Sequence, residues 1–371
     1  MRISIHRWAG HWIAAAAAIL VHSHSVLGED AASDHAPPRP EVTLHEENLG
    51  KSLVIVAIPP KAHGGVALFA HGFRPPEAPL SAALDVKSGF NRQLLDAGWI
   101  LAATSYRRNG WITKEAVEDL RELRKFVASR HREPKRVLLI GSSLGGYIGM
   151  LAAEQPQGLV DGVLALGAGG IPEDEQELSR TFSMAPRIPL LFLSNAVEAD
   201  GPKRYAKKAP PGSVAVWTVK RGGHVNISEP EQASAWAALL SWLDGHPPAL
   251  ERDASIDAPP PKSRAEFIGD TARAKITALS AAHGNFVSEF TAEDLGQLGL
   301  KIRQRLLVEA NGKSFEALWG TKYSDVPEGE GVVFLTGDGL LRIARNFANA
   351  AATLEVKEGD SITIRPIPAK R

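Results

Sequence analysis

The stretch Arg136-Val137-Leu138-Leu139-Ile140-Gly141-Ser142-Ser143-Leu144-Gly145-Gly146-Tyr147 decides how this chain is read. Val137 to Ile140 form a short apolar run of strand type, and a G-x-S-x-G turn joins that run to a following helical segment. A turn of this kind strains its central residue and brings strand and helix close together. Glycine is therefore needed on either side, and the central hydroxyl is left exposed above the sheet. Ser143 is that residue and the candidate nucleophile. The competing reading is a glycine turn that cradles phosphate at a helix N-terminus. It needs a Walker lysine or a dinucleotide spacing, and neither is present.

A serine hydroxyl attacks poorly unless a neighbouring base removes its proton, so a histidine is expected on a loop after the late strands. Of the 12 histidines, His224 in Gly222-Gly223-His224-Val225-Asn226 has that position. A carboxylate that fixes the histidine tautomer is expected between the two in sequence. Glu198 and Asp200 both follow the run Leu190 to Leu193; Glu198 is preferred for its place in the loop, Asp200 precedes glycine and suits a turn, and Asp161 is more remote. The oxyanion donors are expected to be the backbone amides of Leu144 and of Phe73, the latter in His71-Gly72-Phe73. His71 itself reads as a brace for that loop.

Outward from this core, short apolar runs alternate with helical patterns, which predicts a mainly parallel sheet covered by helices. Strands are expected at Leu53 to Ile58, Gly65 to Ala70, Trp99 to Thr104, Arg136 to Ile140, Gly162 to Leu166, Leu190 to Leu193 and Val214 to Val219. One helix should run from Thr113 to about Arg130, and another should carry Ala233, Trp236, Leu240 and Leu243 on one face.

Residues 1–28 read as an export signal, with Arg2 and Arg7 before the apolar run Trp12 to Val21. The expectation is a secreted or periplasmic protein with no stable membrane insertion after cleavage, a retained N-terminal anchor being the alternative. Residues 29–40 form a Pro-rich linker, 41–245 the first domain, 246–264 a second Pro-rich linker and 265–371 a β-rich C-terminal domain.

Lysine plus arginine and aspartate plus glutamate number 42 each, which argues against nucleic acid as a partner. With no cysteine, disulfides and thiolate chemistry are excluded. No metal-ligand spacing stands out, and no cofactor is expected.

From about Val42 to Asp244 the chain resembles the α/β-hydrolase superfamily, with His71-Gly72-Phe73, Gly141-Ser142-Ser143-Leu144-Gly145 and Gly223-His224 in the family's order. The resemblance implies an α/β-hydrolase fold and acyl-transfer chemistry, and leaves the substrate open. About two dozen residues separate Leu166 from Leu190, too few for a large lid, so an open, shallow cleft is expected. The segment Ser105 to Trp111 should lie on its rim as a solvated loop with its tryptophan buried, contact of its aromatic and arginine side chains with substrate being the alternative.

Residues 272–366 resemble the C-terminal domain of S-adenosylmethionine hydroxide adenosyltransferases through Ala282-His283-Gly284-Asn285-Phe286-Val287, Tyr323 to Glu330, Gly339 to Ala351 and Glu358-Gly359-Asp360. The resemblance implies a small β-barrel, which in that family completes an adenosyl site only against the N-terminal domain of a neighbouring subunit. That N-terminal domain has no counterpart here. His283, Ser280 and Asp338 also depart from the family's pattern, which favours a role in assembly or docking, a homo-oligomer being one such assembly.

The expected function is an exported serine hydrolase cleaving a small-molecule carboxylic ester. A serine peptidase or thioesterase on the same scaffold, and a non-catalytic binding or assembly protein, are the alternatives.

Overall fold

The computed structural model describes residues 41–367 except 83, 132, 157, 258, 281 and 282. The export signal and first linker fall outside the described residues. The first sheet has nine strands: β1 (Thr43–Leu49), β2 (Ser52–Ile58), β3 (Gly65–Ala70), β4 (Ile100–Thr104), β5 (Arg136–Ser142), β6 (Gly162–Leu166), β7 (Leu190–Asn195), β8 (Val214–Val219) and β9 (Glu251–Asp253). Their spatial order is β1-β2-β4-β3-β5-β6-β7-β8-β9, with β2 antiparallel to its neighbours and every pairing from β4 to β9 parallel. This is the mixed, doubly covered sheet of an α/β-hydrolase fold.

The strands are apolar on both sides because both sides are covered. Val66, Leu68, Val137 and Leu139 point to one layer, where α2 (Thr113–His131) and α3 (Leu144–Ala153) pack. The intervening Ala67, Leu138 and Ile140 point to the other, against α1 (Gly89–Asp96) and α6 (Glu229–Leu243). Two shorter helices, α4 (Glu175–Thr181) and α5 (Asp200–Lys208), complete the first layer through Leu178 and Tyr205.

The segment read as the second linker carries β9, and the indole of Trp217 donates to the Ala249 carbonyl at 2.9 Å. Structure belonging to the first sheet therefore continues past residue 245.

The C-terminal part contains β10 (Glu266–Ile268), β11 (Thr271–Leu279), β12 (Phe286–Thr291), β13 (Arg305–Ala310), β14 (Lys313–Trp319), β15 (Gly331–Leu335), β16 (Leu340–Arg345) and β17 (Ser361–Pro366). Seven of these strands close into a barrel, because β17 pairs with both β13 and β11, from Ala272 opposite Ile364 to Lys275 opposite Ser361. Closure removes free edges. Ile276, Phe286, Leu306, Val308, Ile343 and Ile364 are among the side chains that fill the interior.

Candidate active site

At the C-terminal end of β5 the chain bends so tightly that Ser143 takes φ 56° and ψ −118°, a conformation L-residues rarely adopt. The two glycines of the motif make the bend possible. A Cβ on Gly141 would lie 2.2 Å from the Gly145 carbonyl oxygen, and one on Gly145 would lie 1.9 Å from that of Ala70. The Ser143 amide donates to the Leu166 carbonyl at 2.9 Å, which ties the bend to the neighbouring strand. The seryl side chain is partly exposed at the start of α3.

His224 comes from the loop between β8 and α6. Its Nε2 lies 2.7 Å from Ser143 Oγ, and its Nδ1 lies 2.5 Å from Glu198 Oε2. A proton on Nδ1 donates to the carboxylate and leaves Nε2 to accept from the serine. The other oxygen, Glu198 Oε1, accepts from the Val225 amide at 3.1 Å. A side chain on Gly167 would come within 2.6 Å of this oxygen, so glycine keeps the space open.

Structure thus brings together Ser143, His224 and Glu198. Asp200 is exposed at the first turn of α5 and makes no hydrogen bond to His224 among the described residues. Asp161 accepts from the Val137 amide at 2.7 Å, where β5 begins, at the other end of that strand from Ser143.

A polar frame that sequence reasoning missed holds the acid and base loops together. Asn195 Nδ2 donates to the Asn226 carbonyl at 2.9 Å, while the Asn226 amide donates to Asn195 Oδ1 at 2.7 Å. Arg221 donates to both oxygens of buried Glu231 at 3.1 Å and also to the Asn226 carbonyl at 3.0 Å. Glu231 further accepts from the Ser228 and Ile256 amides at 2.8 and 3.0 Å, so its buried charge is well satisfied. The only signal in the sequence was the Ser228 to Glu231 spacing of a helix cap, which gives no hint of the arginine.

Beside the serine lies the His71-Gly72-Phe73 loop; a Cβ on Gly72 would sit 3.2 Å from Ser143 Cβ. Neither the Phe73 nor the Leu144 amide donates to a backbone carbonyl among the described residues. Both are free to meet a developing negative charge, and Leu144 adds the positive end of the α3 dipole. His71 braces this loop, with Nδ1 2.7 Å from the Gly72 carbonyl and Nε2 3.2 Å from that of Ser105. Burial first, and then the Arg74 charge, lower its pKa to about 4, so it is neutral at pH 7.

On the rim, the outcome differs from expectation. Tyr106, with φ 58°, is the buried aromatic of its loop and packs on the His71 ring at 4.2 Å, while Trp111 is 52% exposed. Trp111 stays out because Tyr147 and the Gly170 backbone occupy the space behind it; a Cβ on Gly170 would be 2.1 Å from the indole. From the barrel, His283 Nε2 donates to the Phe73 carbonyl at 3.1 Å, a contact over 210 positions that nothing in the sequence signals.

Residues 282–363 match the family described as the SAM hydroxide adenosyltransferase C-terminal domain. No curated protein matches the chain. Among solved structures, an uncharacterized conserved protein from Thermotoga maritima is 25% identical, over 34% of this chain and 49% of its own, with a TM-score of 0.26. The match thus spans about half the length of that protein.

A dienelactone hydrolase from Anabaena variabilis is 18% identical over 57% of this chain and 100% of its own, with a TM-score of 0.40. An esterase from Pyrococcus furiosus is 14% identical over 55% and 91%, with a TM-score of 0.39. The fold assignment rests on the strand order and the bend at Ser143, independently of these likenesses.

Proposed function

We propose that this protein is a serine hydrolase that cleaves carboxylic esters through an acyl-enzyme. The observation that carries the reading is the unbroken hydrogen-bond chain from Ser143 Oγ through the His224 ring to Glu198. As Oγ attacks the substrate carbonyl carbon, its proton passes to His224 Nε2. Glu198 then faces an imidazolium, whose charge it stabilises. The carbonyl oxygen becomes an oxyanion served by the Phe73 and Leu144 amides. Collapse of the tetrahedral species breaks the bond to the alcohol, which leaves with the proton from Nε2. Water, deprotonated by the same nitrogen, then releases the acid and restores the serine.

The basic residues and apolar run of positions 1–28 support action outside the cytoplasm as part of this proposal. A Ser143→Ala protein tests the chemistry: hydrolysis of p-nitrophenyl acetate should fall by about four orders of magnitude or more. Undiminished turnover by that variant overturns the reading. Turnover of peptide amides in place of esters would move the protein to the peptidases on the same scaffold.

A further inference from the structure

Two features of the barrel are unexplained by its own folding. Phe347 is 66% exposed, and its backbone is left-handed with φ 51°, a conformation disfavoured for a bulky side chain. The turn that carries it is held firmly on both sides. Asn346 Nδ2 donates to the Val326 carbonyl at 2.9 Å, and the Asn346 backbone exchanges hydrogen bonds with Gly329 and Glu330 at 2.7 and 2.9 Å. Arg345 donates to the Gly329 carbonyl and to Thr353 Oγ1 at 2.8 Å. A rigid turn thus presents an aromatic ring outward.

Where that ring points is informative. It meets Phe73 edge to face, with centroids 6.4 Å apart, and Phe73 follows the glycine that abuts Ser143. His283, in another loop of the barrel, donates to the Phe73 carbonyl. Ser280 Oγ lies 3.2 Å from His283 Nδ1; its donation there keeps the proton on Nε2, as the Phe73 contact requires. Gly169 adjoins both Ser143 Oγ and His224 Cε1, and the exposed Trp111 covers the neighbouring Gly170. Aromatic residues of three separate segments thus lie one residue away from the glycines that adjoin the nucleophile, or against such a residue: Phe73 beside Gly72, Trp111 against Gly170, and Phe347 of the barrel against Phe73.

We propose that the C-terminal barrel forms one wall of the ester-binding cleft, with Phe347 contacting an aryl or bulky alkyl group of the substrate and His283 positioning the Phe73 loop. The proposal rests on the serine hydrolase reading. It makes the barrel a determinant of substrate size, since an exposed apolar ring gains most by covering another apolar group. His283 would act through Phe73, holding the amide of that residue at the angle the oxyanion needs.

The test uses the full chain and two esters, methyl acetate and phenyl hexanoate, followed by pH-stat. Phe347→Ala should lower the ratio of kcat/KM for phenyl hexanoate to that for methyl acetate roughly tenfold, the size of one lost aromatic contact. His283→Ala should lower kcat roughly tenfold on both esters with KM little changed, and His283→Gln, whose amide nitrogen comes near the Nε2 position, should recover most of the loss.

An unchanged size ratio in Phe347→Ala overturns the proposal. So does a Phe347→Ala protein whose main change is its association state in sedimentation, since the ring would then be an interface between copies. Failure of His283→Gln to restore kcat in a folded protein removes the positioning role. Wild-type labelling by a small fluorophosphonate keeps these outcomes apart from the fate of the hydrolase reading. A labelled wild type with an unaltered size ratio sinks only this inference, whereas an unlabelled one sinks the hydrolase reading itself.

Discussion

Replacing Glu198 by glutamine isolates the charge of the carboxylate proposed to orient His224 while keeping its shape. The native carboxylate accepts from His224 Nδ1 at 2.5 Å and from the Val225 amide at 3.1 Å, and its side chain is 15% exposed. Two losses follow. Between a carboxylate and the imidazolium, with charge centres roughly 4 Å apart in a medium of effective dielectric about 20, the attraction is about 4 kcal/mol, or close to three orders of magnitude in rate. Glutamine can also turn its NH2 toward Nδ1, which shifts the proton to Nε2 and removes the acceptor that Ser143 needs.

Together these effects should lower kcat by about 10³- to 10⁴-fold, with KM nearly unchanged and the melting temperature close to that of the wild type. Asp200→Asn serves as the companion variant, because Asp200 is exposed and outside the hydrogen-bond chain. It should retain activity within about threefold. The assay is steady-state hydrolysis of p-nitrophenyl acetate by both variants at pH 8. A Glu198→Gln enzyme within tenfold of wild type, or an Asp200→Asn enzyme with the larger loss, would refute the assignment.

Gly145→Ala would drive a methyl group to 1.9 Å from the Ala70 carbonyl oxygen, so we expect destabilisation of about 3 kcal/mol or failure to fold, measured by urea denaturation. Asn195→Ala breaks both hydrogen bonds to the Asn226 backbone and should cost about 2 kcal/mol together with roughly a tenfold loss in kcat, measured on the same samples. Burial, followed by Arg74, holds folded His71 near pKa 4 against an ordinary value of 6.5, with Tyr106 and His283 also close by. The unfolded chain binds the extra proton between those values, so stability should be full above about pH 6.5, decline as pH falls toward 4 and level off below. The His71 contribution should be on the order of 3 kcal/mol, seen as a shallower pH dependence of unfolding free energy in His71→Asn.

Much of this architecture is legible in the residues themselves. Strands buried on both faces announce themselves as continuous apolar runs, and the bend at Ser143 is readable because only glycine tolerates the approaches at 141 and 145. By contrast β1, Thr43–Leu49, is largely exposed and polar, and β9 is three charged residues long; each is defined by hydrogen bonds to a neighbour and has no periodicity of its own. Glu198 and Asp200 could be ranked only by loop register, since two residues of a short turn decide which carboxylate reaches the imidazole. The frame of Asn195, Arg221, Asn226 and Glu231 and the reach of His283 to Phe73 depend on how distant segments meet. Trp111 departs from expectation for a related reason: whether a loop aromatic turns inward depends on what already occupies the space behind it, here Tyr147 and the Gly170 backbone, which no local pattern announces.

The most direct test is to treat the wild-type protein with a fluorophosphonate and map the modified residue by mass spectrometry, alongside a His224→Ala protein. We predict a single adduct on Ser143 that forms rapidly in the wild type and is slowed by at least a thousandfold without the imidazole. An adduct elsewhere, or labelling of Ser143 at equal rates in both proteins, would contradict the claim that His224 activates this serine.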